Sequence, residues 1–74
     1  MTDKEEYNKQ SIEIADLIYT RVQDQAIKNG SVSETWIQKV FKVNYLTASW
    51  IIGRLYAENI CGEYISTIQH RKIL

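Results

Sequence analysis

Read by its apolar positions, the chain divides into three helical stretches and a terminal hairpin. Ile14, Leu17, Ile18, Val22 and Ala26 recur at three- and four-residue spacing, which predicts an amphipathic helix over about Ser11–Lys28. The pattern permits a start as early as Lys4, and Gly30 after Asn29 is a natural C-terminal stop. Residues 1–10 are polar and charged, and read either as a flexible segment or as an extension of that helix. On such an extension Tyr7, Ile12 and Ile14 would pack on a second copy; otherwise they are scattered apolar residues of a tail.

Ser31-Val32 is long enough only for one extended rung beside a later hairpin. Ser33 is placed to cap a second helix that runs to about Lys42, with Glu34 at its positive end. Ile37, Val40 and Phe41 form its expected buried stripe, with Trp36 at the edge. Val43-Asn44 makes the turn, and Asn44 caps a third helix over about Tyr45–Glu58. On that helix Ala48, Ile51, Ile52 and Leu55 share one side, and Leu46, Thr47, Trp50, Gly53, Arg54 and Ala57 share the other. The second side is unusual, because a mid-helix glycine costs about 1 kcal/mol relative to alanine. Asn59 ends the helix, Ile60–Tyr64 reads as a strand, Ile65–Gln69 as a weakly marked tip, and His70–Leu74 as the return strand. Helix, short strand, helix, turn, helix, hairpin is the layout of a winged helix. The expected class is α+β, mostly α: a small winged helix-turn-helix over residues 11–74, with three helices and a short β-hairpin wing.

Composition narrows the function classes. At 74 residues this is one small domain, and its 45% hydrophobic and 24% charged content argues against disorder. No apolar run approaches the roughly 20 residues of a membrane span, and the N-terminus carries no apolar signal segment. Cys61 has no disulfide partner and, with His70 the one histidine, no zinc-site companions; a reduced, cytoplasmic setting is the simplest reading. Nothing resembles a catalytic triad, a carboxylate pair or a phosphate-binding GxxxxGK[ST] loop, so no enzyme, cofactor, metal or small-molecule substrate is expected. Net charge is zero but unevenly spread. Residues 1–35 hold four basic and seven acidic side chains, net −3, and residues 36–74 hold five and two, net +3.

The order of several short motifs is similar to one known family. Asp16-Leu17-Ile18-Tyr19, Gly30-Ser31-Val32-Ser33, the run from Gln38 to Tyr45, Glu58-Asn59-Ile60-Cys61-Gly62 and Arg71-Lys72-Ile73-Leu74 appear in sequence. From Asp16 to Leu74 the chain resembles the gamma domain of FtsK/SpoIIIE DNA translocases, the winged helix at the C-terminal end of those motors. The resemblance implies that the third helix enters a DNA major groove, and that a protein partner, a recombinase such as XerD or a regulator, contacts the domain. The family's third helix opens Tyr-Asn-Arg-Ala-Ala-Arg, with an acidic residue one turn later. Here that stretch is Tyr45-Leu46-Thr47-Ala48-Ser49-Trp50, with Gly53 at the acidic position, so the side chains suited to guanine and cytosine edges are replaced. The start Met-Thr-Asp-Lys-Glu-Glu reads as a natural beginning and points to a stand-alone small protein, as from a phage or mobile element, over an excised motor domain.

The expected DNA-binding set is therefore Asn44, Tyr45, Leu46, Thr47, Trp50 and Arg54 on the third helix, with His70, Arg71 and Lys72 on the wing. Each has a structural alternative. Arg54 is spaced to pair with Glu58, Thr47 to bond its own backbone, and Lys72 to protect a strand edge. On the first reading the chain binds double-stranded DNA modestly and with strong salt dependence. On the second, the Leu46, Trp50 and Gly53 face presents an interface to a protein partner.

Overall fold

The computed structural model describes residues 3–74, with side chains from Glu6 onward. In chain order the elements are α1 (Asp3–Asn29), β1 (Ser31–Val32), α2 (Glu34–Phe41), α3 (Tyr45–Ala57), β2 (Cys61–Ile65) and β3 (His70–Ile73). This is the expected small winged helix-turn-helix. The third helix ends one residue early and the first wing strand begins one residue late. Of the expected 1–10 segment, residues 3–10 are the continuous first turns of α1, and Met1 and Thr2 lie outside the described residues.

Local chemistry accounts for the breaks. Gly30 follows α1 at φ 81°, a left-handed conformation that glycine adopts freely, and its N–H donates to the Ala26 carbonyl at 2.9 Å. The Ser33 hydroxyl accepts from the Trp36 N–H at 3.0 Å and starts α2. Lys42 ends it at φ 58°, and its N–H returns to the Gln38 carbonyl. The Asn44 side chain accepts from the Thr47 N–H at 2.8 Å and starts α3. The sheet is antiparallel in the order β1-β3-β2, so the two-residue rung β1 is held against the return strand of the wing. Ser31 lies opposite Lys72 and Val32 opposite Arg71, while Cys61 faces Ile73 and Tyr64 faces Arg71 across a bulge. The wing tip closes without glycine or proline, because Gln69 takes the left-handed conformation at φ 57° and donates to the Ile65 carbonyl at 2.8 Å.

One core joins Ala15, Tyr19, Val22 and Ala26 of α1, Ile37 of α2, Ala48, Ile51, Ile52 and Leu55 of α3, and Val32 and Cys61 of the sheet. Trp36 and Phe41 pack beside it edge to face, with ring centroids 6.1 Å apart. Two expected stripes are corrected. α1 does not bury Ile14 and Leu17; Ser11, Ala15, Tyr19, Val22 and Ala26 face inward, and Leu17 is 81% exposed. On α2, Ile37 turns fully inward and leaves Val40 half exposed at the margin. The rotation of α1 is set by contacts with residues more than 30 positions away. The Ser11 carbonyl accepts from the Thr47 hydroxyl at 3.0 Å, and the Ser11 hydroxyl accepts from the Asn44 amide at 3.0 Å. Small inward residues let α1 and α3 approach closely enough for these bonds.

Candidate functional site

Thr47 and Arg54 of α3 and Glu58, its C-terminal cap, occupy positions i, i+7 and i+11, which at 3.6 residues per turn form one line along the helix. α1 lies over that line. Thr47 meets Ser11, Arg54 meets Asp16 with Nη1 and Oδ1 3.5 Å apart, and Glu58 accepts from the Tyr19 hydroxyl at 2.8 Å. The seam removes part of the face that sequence alone leaves open.

Thr47 is corrected first: it is wholly buried, its hydroxyl is used by Ser11, and it cannot meet a base edge. Asn44 is half-buried, with its oxygen capping α3 and its amide on Ser11. Arg54 is engaged three times. Its guanidinium stacks 4.0 Å from the Tyr19 ring centroid, Nε is 3.2 Å from Glu58 Oε2, and Nη1 faces Asp16. The i+4 pairing anticipated from spacing is present, and two further partners come from α1. Among the described residues every ion pair belongs to Arg54.

Burial and the Glu58 hydrogen bond push the Tyr19 hydroxyl up to about 12, while the bonds from Tyr19 and Arg54 hold Glu58 below the usual carboxylate range. Tyr56, at the far end of α3, donates to Glu63 of the wing, and that bond raises its pKa. Burial likewise pushes the Cys61 thiol up, away from the reactive thiolate.

The outer side of α3 keeps Tyr45, Leu46, Ser49, Trp50 and Gly53 accessible, with the rim of Arg54, and Tyr56 and Ala57 are exposed at the wing end of the helix. Trp50 is 48% exposed and Tyr45 60%. Leu46, Ser49, Trp50, Gly53 and Arg54 line a shallow, mainly apolar hollow of about 320 Å³. Gly53 sits within this hollow, and a Cβ built on it meets nothing within 4 Å. Ser49 and the α1 residues that fix Arg54 have no local sequence signal. Their roles come from segments brought together in space.

The wing divides by strand alternation. Arg71 shares the inner side with Val32 and Ile73, donates to the Gly62 carbonyl at 2.9 Å and lies over the Tyr56 ring at 5.2 Å. Part of its guanidinium therefore serves the sheet, and a phosphate contact at Arg71 would have to share it with the Gly62 carbonyl. His70 is half-buried, with Nδ1 enclosed and without a partner. Lys72 points outward and is exposed, as are Lys39 on α2 and Lys42 just after it. A larger hollow of about 470 Å³ lies between the start of α2 and the wing tip, lined by Trp36, Lys39, Tyr64 and Gln69 among others.

Among the described residues no group of three His, Cys, Asp or Glu side chains is arranged to hold a metal ion, and no helix is long and apolar enough to cross a membrane. No protein-family model matches the chain, and neither a curated protein nor a solved structure matches it.

Proposed function

We propose that this chain is a non-catalytic binding module that docks a protein partner on the outer face of α3, seating an apolar side chain between Leu46, Trp50 and Gly53. The observation that carries the reading is Gly53. It weakens the helix, its Cβ position is open, and its backbone does not require glycine, so nothing among the described residues accounts for it. A partner that approaches the helix backbone closely does account for it. Trp50 beside it is the residue type that dominates interface energetics. The one arginine on this face is balanced by two carboxylates, so the field it offers to phosphate is weak. The test is selection of helical peptides from a displayed library against the folded chain, with Gly53→Val as counter-target. Enrichment of amphipathic helices that bind the wild type and not the variant is expected. Equal binding to both would overturn the reading.

Duplex DNA is the second reading, and one observation favours it. Glu58 and Glu63 are held by internal partners, while Lys39, Lys42 and Lys72 are exposed and outside any ion pair among the described residues. This surface suits backbone contact without base readout, in keeping with the family resemblance of the α2–α3 segment. Anisotropy with a random-sequence duplex across a salt series separates the two readings. Binding that falls linearly in log salt supports DNA, and no binding at the lowest salt removes it.

A further inference from the structure

α1 carries a second apolar face that the fold does not cover. Its inward positions include the small residues Ser11, Ala15 and Ala26, while the bulkier Tyr7, Ile14 and Leu17 point outward at 50%, 40% and 81% exposure. These three follow the spacing of a helix-pairing stripe, i, i+7, i+10. The stripe centre lies roughly 140° around α1 from Asp16, at 100° per residue, so it is separate from the α3 hollow.

Charge differs between the two halves of the stripe. Glu6 and Glu13 lie on its N-terminal half, and Arg21, Lys28 and the single acid Asp24 on its C-terminal half, so the halves are net negative and net positive. All are exposed and none is in an ion pair among the described residues. We propose that this face pairs antiparallel with the same face of a second copy of the chain, about a two-fold axis between Ile14 and Leu17. In that arrangement Ile14 of each copy packs on Leu17 of the other, Arg21 lies opposite Gln10 within reach of the other copy's glutamates, and Tyr7 meets Asp24, to which its hydroxyl can donate. A parallel pair instead sets Arg21 against Arg21 and Glu13 against Glu13. The face is thus complementary to itself in one orientation, which is the requirement for an isologous dimer. Two copies joined this way carry two α3 faces, so a bivalent target is held more tightly than either face holds it alone.

Sedimentation equilibrium of the full chain over a concentration series tests this. The apparent mass is expected to rise from 8.7 kDa towards twice that value. Leu17→Lys touches no core contact, so it should keep the helical circular dichroism and melting temperature while weakening association at least about tenfold, the effect of roughly 1.4 kcal/mol. Arg21→Glu should weaken it as well, and added salt should weaken the wild-type dimer, because the pairing joins opposite charges. Trp50→Ala should leave the dimer intact. A chain that stays monomeric at high micromolar concentration overturns the proposal. So does a dimer that Leu17→Lys leaves unchanged, and a dimer that salt strengthens overturns the antiparallel arrangement.

Discussion

The Thr47 hydroxyl donates to the Ser11 carbonyl at 3.0 Å, and both residues are about as buried as the apolar core. This bond ties the outer edge of the third helix to the first. It turns a residue at a base-reading position into part of the frame. Thr47→Val keeps the shape and removes the donor. Thermal unfolding should show a loss of about 1 kcal/mol, or roughly 4–8 °C in a domain of this size. Peptide or duplex binding by the folded variant should match wild type; a selective loss of binding would return Thr47 to the contact set.

Gly53→Ala should separate stability from binding. Alanine gains about 1 kcal/mol of helix propensity, and its Cβ meets nothing within 4 Å. The melting temperature should therefore rise by a few degrees. Ligands selected on the wild-type face should bind more weakly, because the added methyl enters the hollow beside Trp50. A variant that is both more stable and fully competent would show that the glycine has no role in docking.

Charge on α3 and on the wing should behave differently towards duplex DNA. If the three exposed lysines meet phosphates, the slope of log affinity against log salt is about −2.7, at about −0.9 for each contact. Lys72→Ala should make that slope shallower by about 0.9. Arg54→Ala should leave it nearly unchanged, since the guanidinium is already matched by Asp16 and Glu58. The reverse order of effects would place Arg54, and not Lys72, on the phosphates.

The Tyr19–Glu58 bond predicts how stability varies with pH. Glu58 is held below its ordinary value of 4.5, so its contribution is present above that pH and is lost as pH falls through the lowered folded-state value. Tyr19 is raised from 10.0 to about 12, so its contribution is complete below pH 10 and is lost as pH rises towards 12. Melting temperature should be flat from pH 4.5 to 9.0, above which the buried Cys61 thiol, also raised, begins to add to the alkaline loss, and it should fall on both sides. Tyr19→Phe should shrink both falls, the alkaline one only in part because Tyr56 is also raised. Absorbance titration of the tyrosines should show a late-ionising hydroxyl that is missing from the variant; an unchanged titration would mean the bond does not persist in solution.

Elements carried by short-range signals were legible in the sequence. Ser33 and Asn44 are caps whose partners lie three residues on, and Gly30 and Asn59 stop helices by backbone conformation alone. The core side of α3 was equally plain, because Ala48, Ile51, Ile52 and Leu55 repeat within one helix. The candidate site was legible only in outline. Trp50, Leu46 and Gly53 stay open as their positions implied, but Thr47, Arg54 and Arg71 are each engaged by a partner that spacing could not reveal, apart from Glu58. Leu17 faces solvent and not the core, and spacing could not reveal this for a related reason. Periodicity reports that a helix has apolar positions, and α1 has them on two sides, so it cannot say which side meets the rest of the chain.

By itself the sequence determined the element order, the class of fold and the composition of the outer face of α3. These follow from capping, backbone preference and helical period, all of which act within a few residues. The tertiary structure decided the rotation of α1, and with it which polar groups are spent on the frame and which remain for a partner. Those choices rest on hydrogen bonds across 33 to 39 positions of chain, between Asn44 and Ser11, Thr47 and Ser11, and Tyr19 and Glu58. Such bonds depend on how closely two helices pack, a property of side-chain volume at their contact that no single helix carries.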